Sequence, residues 1–143
     1  MVKNVHFSSD RDDWATPLSL FLALDSLYGP FTLDPCADSL NHKCERYFDK
    51  EQDGLLQSWA NENVFCNPPY GRQIGKWVEK CYNESKYNGA RCVMLIPART
   101  DTKWFHEFIL GRLNVEHIFL KGRIKFEGAK NSAPFPSMIV VFH

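Results

Sequence analysis

The spacing of apolar residues along the chain predicts helices that alternate with short strands. Helices are predicted over three segments: one that Thr16 caps and Gly29-Pro30 ends, one that carries Ile74 and Tyr82 and ends before Gly89, and one over 101–110. In the first, Pro17 takes the first helical position, where its missing N–H costs nothing. Strands are predicted over seven segments: 31–34, 46–49, 63–67, 91–97, 115–120, 123–126 and 137–142.

This order of elements predicts one α/β domain over residues 1–143. The segment 91–97 is almost continuously apolar, as is typical of a central parallel strand. The closing run of strands predicts a mostly parallel sheet with antiparallel C-terminal strands. Residues 1–13 are predicted to form a loosely ordered N-terminal segment.

Polar side chains follow three of the predicted strands. Asp34, Asp49 and Asn67 each come at a strand's carboxyl end. Parallel strands bring these ends to the same edge of a sheet, where α/β proteins bind ligands. We therefore expect the three side chains to share one crevice.

The third of these strands runs into Asn67-Pro68-Pro69-Tyr70. The Asn67 side-chain oxygen and the Pro68 carbonyl are two acceptors close together, and the prolines hold them rigid. They suit an amino group with two N–H donors, and Tyr70 offers a flat face for a planar ring. Hydrogen bonds to both amine hydrogens favour a pyramidal, nucleophilic nitrogen, which is stabilisation of developing charge. The alternative is a tight turn with Tyr70 as a packing residue.

Composition limits the class of protein. The chain has 143 residues, 44% apolar and 24% charged, as in ordinary folded domains. It has no run of about 20 apolar residues to span a membrane, and Met1–Arg11 lacks a signal-peptide core. We expect a soluble protein of the bacterial cytoplasm.

Charge and cysteines add two observations. Residues 1–70 carry five basic and eleven acidic residues, whereas residues 71–143 carry twelve and six. This asymmetry fits one electropositive face, although random drift of surface charge explains it equally well. The five cysteines include no CxxC pair and are expected to be reduced. Cys36, His42 and Cys44 lack a fourth ligand at zinc spacing, so no metal is predicted.

Beyond the four-residue motif, several segments together resemble the phage-type DNA N6-adenine methyltransferases (the Dam-like family), which use S-adenosylmethionine. The segments are WATP (14–17), LDPCA (33–37), YFDKEQDGL (47–55), NPPYG (67–71), LIPARTDTKWF (95–105) and GRIKF (122–126). The resemblance implies a single-domain Rossmann-like methyltransferase fold. It also implies methyl transfer to the N6 amine of adenine in double-stranded DNA, after the base is flipped out of the duplex.

The resemblance assigns roles to individual residues. Asn67, Pro68, Pro69 and Tyr70 match the catalytic motif. Cofactor contacts are implied for six further residues: Trp14, Thr16, Pro17, Asp34, Asp49 and Asp53. Asp34 would lie near the methionine part, Asp49 near the ribose with Glu51 as a competitor, and Asp53 near the adenine. For DNA phosphates we expect Arg99, Lys103 and Arg123, with Arg72, Lys125 and Lys130 as further candidates.

Two departures from the family pattern keep alternatives open. The loop 34–44 has no glycine where methyltransferases usually carry a Gly-x-Gly element, and no separate target-recognition domain is expected. Recognition would then use short loops such as 127–136, or a second subunit, although no homo-oligomer is indicated. The alternatives are an RNA or protein-glutamine methyltransferase and a non-catalytic fold that binds cofactor or DNA. A cytosine-C5 enzyme with Cys36 as nucleophile is set aside, because it leaves the Asn-Pro-Pro-Tyr motif unexplained.

Overall fold

The computed structural model describes residues 13–143, so nearly all of the predicted N-terminal segment lies outside the described residues. The described part contains three α-helices, which we number in chain order: α1 (Leu18–Tyr28), α2 (Ile74–Tyr87) and α3 (Lys103–Phe108). Its six strands are β1 (Leu33–Asp34), β2 (Arg46–Tyr47), β3 (Asn63–Cys66), β4 (Arg91–Pro97), β5 (Val115–Phe119) and β6 (Ser137–Phe142). A short 3₁₀ helix covers Gly54–Leu56.

The strands form one mixed sheet in the order β2-β1-β3-β4-β6-β5. The pairs from β2 to β4 are parallel, whereas β6 is antiparallel to both β4 and β5. This confirms the predicted α/β class, with a parallel first half and an antiparallel finish. The carboxyl ends of β1, β2 and β3 consequently meet at one edge of the sheet.

The core lies on both faces of β4 and β6. Every residue of β6 is buried, as are all residues of β4 after Arg91. Helix α2 covers one face with the side chains of Ile74, Trp77, Val78 and Cys81, at the spacing expected of an amphipathic helix. Within residues 13–143, no helix is both long enough and apolar enough to cross a membrane.

The predicted strand 123–126 is wrong. These residues have no regular structure: the Ile124 carbonyl accepts the N–H of Ala133 at 2.7 Å, and the N–H of the next residue after the segment, Glu127, donates to the Ala15 carbonyl at 2.9 Å. Phe126 is buried at the end of the segment. The chain here follows a loop that meets the N-terminal segment instead of pairing with the sheet.

The predicted start of α1 is also wrong by one residue, and so is its cap. Pro17 is the N-cap and no side chain caps the helix. The Thr16 hydroxyl instead accepts a hydrogen bond from Asn67. The third helix is shorter than predicted, and Thr102 caps it by accepting from the Phe105 N–H at 3.3 Å.

Candidate active site

A cleft of about 940 Å³ opens at the carboxyl ends of β1 and β3. Its wall includes most of the predicted site residues: Trp14, Thr16, Asp34, Asp49, Glu51, Asp53, Asn67, Pro68 and Pro69. The topology thus brings together residues from four separate segments of the sequence. Pro17 and Tyr70 are not among the lining residues.

Asp34 is the buried acid of this cleft, with 5% of its surface exposed. Its carboxylate accepts the backbone N–H of Lys43 at 2.8 Å. Burial raises the pKa of Asp34 to about 6, against the lowering effect of the backbone hydrogen bonds from Lys43 and Cys36 and of the Lys43 charge. An ionised carboxylate here is under-solvated, and a cationic ligand group would stabilise it.

Three further acids line the same cleft on the segment between β2 and the 3₁₀ helix. Asp49 accepts the N–H of Gln52 at 2.9 Å, and Asp53 accepts the N–H of Leu55 at 3.1 Å. Asp53 is in the left-handed region with φ 54°. Glu51 is exposed. Each carboxylate has further acceptor capacity for hydroxyl or amine donors of a ligand.

Gly54 lets the two acidic segments approach each other. A Cβ on Gly54 would lie 2.1 Å from the Pro35 carbonyl oxygen. The close backbone approach therefore requires glycine. The loop after β1 lacks glycine, and the glycine that the packing needs lies on the neighbouring segment.

Asn67 lies at the end of β3 with its side-chain amide held from both ends. Its Nδ2 donates to the Trp14 carbonyl and to Thr16 Oγ1, the latter at 2.8 Å. Its Oδ1 accepts from the Tyr70 hydroxyl at 2.6 Å. A carbonyl oxygen has two lone pairs, so Oδ1 can accept one further donor.

Tyr70 is placed differently from the exposed stacking surface expected of it. Its ring is 4% exposed and its hydroxyl lies 2.9 Å from the Leu95 carbonyl as well as close to Asn67. Desolvation raises the pKa of Tyr70 well above its usual value, so the hydroxyl stays protonated and remains a donor. The residue contributes a hydroxyl group to the site in this structure.

An aromatic cluster covers the Tyr70 ring: Trp14, Phe126 and Phe135. Phe135 and Phe126 meet Tyr70 edge-on, with ring centroids 5.7 Å and 6.2 Å away. Trp14 packs on both phenylalanines at 5.4 Å and 5.1 Å. A planar base can therefore stack on Tyr70 only after this cluster moves. Sequence reasoning missed Phe126 and Phe135, although Phe126 precedes the polar loop 127–136 and Phe135 lies within it.

The three cations expected at DNA do not share one environment. Arg99 is half-buried, and its guanidinium donates to the Tyr70 carbonyl at 3.4 Å, so it supports the Asn-Pro-Pro-Tyr turn. Lys103 and Arg123 are exposed. Of the three, these two therefore present their charges to solvent.

The cysteines are all free thiols. Cys36 lines the cleft and lies 3.7 Å from Cys66, measured between sulfur atoms. Burial raises the pKa of both thiols, which disfavours the nucleophilic thiolate. Among residues 13–143, no three His, Cys, Asp or Glu side chains are arranged to hold a metal.

Lys43, like Phe126 and Phe135, contributes to the candidate site although the sequence did not indicate it. It lies on the cleft wall, and its backbone N–H is the donor that holds Asp34. A backbone donor carries no side-chain pattern, so no feature of the sequence pointed to it.

Comparison with known proteins shows which family the sequence of this chain matches. Residues 4–143 match the family model described as DNA N-6-adenine-methyltransferase (Dam). The chain is 36% identical over 98 residues to the DNA N-6-adenine-methyltransferase of Escherichia phage T1, covering 68% of this chain and 40% of that protein. It is 28% identical to the protein of that name from Haemophilus phage HP1, over 99% of this chain and 84% of that protein.

The family model spans nearly the whole chain, and the segment it covers includes both the acidic cleft and the Asn-Pro-Pro-Tyr turn. The chain spans less than half of the phage T1 relative but most of the phage HP1 relative. By this match, the chain belongs to the DNA N-6-adenine-methyltransferase (Dam) family.

Proposed function

We propose that this protein transfers a methyl group from S-adenosylmethionine to the N6 amine of adenine in double-stranded DNA. The observation that carries the proposal is the position of Asn67, which lines the acidic cleft. Its Nδ2 is held by Thr16 and its Oδ1 by Tyr70, so the direction of the amide is set. Family membership supports the same reaction.

The cleft fits S-adenosylmethionine by the chemistry of its donor and acceptor groups. The cofactor has an ammonium group and a sulfonium centre, which suit the buried Asp34. Asp49, with Glu51 beside it, would accept the ribose hydroxyls, and Asp53 the adenine amine. Bound there, S-adenosylmethionine supplies an electrophilic methyl group.

The chain's own residues would activate the target amine. Asn67 Oδ1 and the Pro68 carbonyl would each accept one amine hydrogen, which makes the nitrogen pyramidal and returns its lone pair for attack. This lone pair would take the methyl group that S-adenosylmethionine supplies, the carbon–sulfur electron pair would stay on sulfur, and the proton lost from the nitrogen would pass to solvent. Tyr70 remains a proposed stacking residue, and its ring needs displacement of Phe126 or Phe135 to receive a base.

We further propose that DNA is held by Lys103 and Arg123, and that Arg99 acts mainly on the turn. A flipped adenine costs a few kcal/mol of stacking and pairing, which phosphate contacts offset. The loop 127–136, or a second subunit, would read the sequence around the target. The proposed place of action is the bacterial cytoplasm.

Methyl transfer from labelled S-adenosylmethionine tests the proposal. Unmethylated duplex DNA, RNA and glutamine peptides are offered separately, and the nucleic acids are digested to nucleosides. We expect label only in N6-methyl-2′-deoxyadenosine from DNA, and its loss in Asn67→Ala. Label in RNA alone or in methylglutamine would refute the proposal that DNA adenine is the substrate. Cofactor binding without any transfer would refute the proposal that the protein is a methyltransferase.

A further inference from the structure

Thr16 contacts the candidate catalytic asparagine in a way that a helix cap or a cofactor contact does not explain. Its hydroxyl oxygen lies 2.8 Å from Asn67 Nδ2, and only 3% of the residue is exposed. Fifty-one positions separate the two residues in the chain. The hydrogen bond therefore depends on residues 14–16 reaching the end of β3 in the folded protein.

The direction of the Asn67 amide follows from its neighbours. The Trp14 carbonyl beside Nδ2 can only accept a hydrogen bond. A flipped amide would put two carbonyl oxygens in contact, and it would also turn the amide nitrogen toward the reacting amine. Since an amine with N–H donors needs an acceptor, only the observed orientation can assist the reaction.

The opposite end of the amide is also set. Oδ1 accepts from Tyr70, whose hydroxyl has one proton and two acceptors within reach, Asn67 Oδ1 at 2.6 Å and the Leu95 carbonyl at 2.9 Å. When an amine arrives at Oδ1, the Tyr70 hydroxyl can donate to the Leu95 carbonyl instead. The amide oxygen is thereby released without leaving a buried donor unpaired.

We propose that Thr16 is a positioning residue: its hydroxyl accepts the second Nδ2 hydrogen and so immobilises the Asn67 amide in the direction that the Trp14 carbonyl selects, with Oδ1 facing the transferred amine. The expected effect of Thr16 on kcat rests on the proposed function, because it presupposes methyl transfer at Asn67. Thr16 acts through Asn67 and does not touch the reacting atoms. This role differs from the cofactor contact expected of Thr16 in the sequence analysis. If Thr16 positions Asn67, its replacement should change kcat, whereas the loss of a cofactor contact would change the affinity for S-adenosylmethionine.

The test compares Thr16→Val, which keeps the shape and removes the acceptor, with Thr16→Ser, which keeps the hydroxyl. Thr16→Val is expected to lower kcat about tenfold, the rate equivalent of one neutral hydrogen bond. The dissociation constant for S-adenosylmethionine should change by less than about twofold. Thr16→Ser should retain kcat within about twofold of the unmodified protein.

Two outcomes would overturn the proposal. A weaker affinity for S-adenosylmethionine with unchanged kcat would assign Thr16 to the cofactor segment. An equal loss of kcat in Thr16→Ser and Thr16→Val would show that packing, and not the acceptor, matters. If Thr16→Val does not fold, Thr16→Ala is measured in its place.

A second readout needs no methyl transfer and so separates this proposal from the proposed function. In ¹⁵N-labelled free protein, the Asn67 side-chain NH₂ signals are identified by their loss in Asn67→Asp. We expect slow exchange of these protons with water, and at least about tenfold faster exchange of one of them in Thr16→Val. Unchanged exchange in Thr16→Val would refute the positioning role, whereas a protein inactive on all substrates would refute only the proposed function.

Discussion

Replacing Asp34 with asparagine is expected to change how the free energy of unfolding depends on pH. Asp34 is buried at the end of β1, and burial raises its pKa from 3.8 to about 6. The folded protein therefore holds a proton on this carboxyl over a pH range in which the unfolded chain has lost it. Folding stability from this group is fully present below pH 3.8 and is lost as the pH rises through about 6.

The magnitude follows from the size of the shift. Each pKa unit corresponds to about 1.4 kcal/mol, so a shift from 3.8 to about 6 costs the folded protein about 3 kcal/mol once the carboxyl is ionised. About 2 kcal/mol of this is lost between about pH 4.5 and about pH 7.5. Asparagine keeps the shape and an acceptor for the Lys43 N–H but carries no titrating proton.

Thermal unfolding of the cofactor-free protein measures the effect. The melting temperature of Asp34→Asn minus that of the unmodified protein is expected to rise by about 6–8 °C between about pH 4.5 and about pH 7.5. Glu51→Gln is the matched control, because it removes an equal charge from an exposed side chain of the same cleft. Its difference should change much less over the same range.

A constant difference for Asp34→Asn across this range would refute the reasoning, because it would mean that the folded protein holds Asp34 at an ordinary pKa. A difference that falls with rising pH would reverse the sign and point to a stabilised carboxylate. The same variant is expected to weaken S-adenosylmethionine binding at neutral pH, since a neutral amide cannot pair with the ammonium group.

Three further changes test the site. Asn67→Ala is expected to lower kcat by at least about 100-fold while the dissociation constant for S-adenosylmethionine stays within about twofold, as single-turnover assays and equilibrium binding would measure. Gly54→Ala places a Cβ 2.1 Å from the Pro35 carbonyl oxygen; we expect a loss of about 1–3 kcal/mol in unfolding free energy and weaker cofactor binding, both followed by thermal shift. Arg99→Ala should lower kcat and leave the salt dependence of DNA binding unchanged, whereas Lys103→Ala should reduce the slope of log K against log salt by about one.

These predictions have clear contrary results. Retained turnover in Asn67→Ala would remove the amide from the mechanism. An unaltered melting temperature in Gly54→Ala would mean that the loop after β1 can move away from the added methyl group. A reduced salt slope in Arg99→Ala would return Arg99 to the set of phosphate contacts.

Most of the fold was predictable because its strands have strong patterns. The run 91–97 is apolar after Arg91 and the segment 137–142 is apolar after Ser137, and both form buried strands in the sheet. The strand predicted over 123–126 failed because Ile124 and Phe126 suggested alternation, whereas the backbone there bonds to the loop 127–136, whose first residue, Glu127, donates to the Ala15 carbonyl. Local apolar pattern cannot reveal a partner that lies more than 100 residues away.

The candidate site was predictable where its chemistry lies in side chains at strand ends. Asp34 and Asn67 follow β1 and β3, and parallel topology brings both to the cleft. Thr16 was read as a helix cap because a threonine before a proline fits that local rule equally well. Its actual partner, Asn67, is set by the tertiary fold, which no local rule contains.

The contacts of Trp14 with Phe126 and Phe135, more than 100 residues later in the chain, also have a consequence for synthesis. Trp14 packs on Phe126 and Phe135, and its carbonyl holds Asn67. Ribosomes add about 5–20 residues per second, so roughly 6–24 seconds separate the synthesis of Trp14 from that of Phe135. Until Phe126 and Phe135 have been made, the growing chain lacks the aromatic partners of Trp14, whereas the hydrogen-bond partners of Asn67 are present once Tyr70 has been added. The aromatic cluster beside the Asn-Pro-Pro-Tyr turn is therefore completed only after Phe135 has been synthesised.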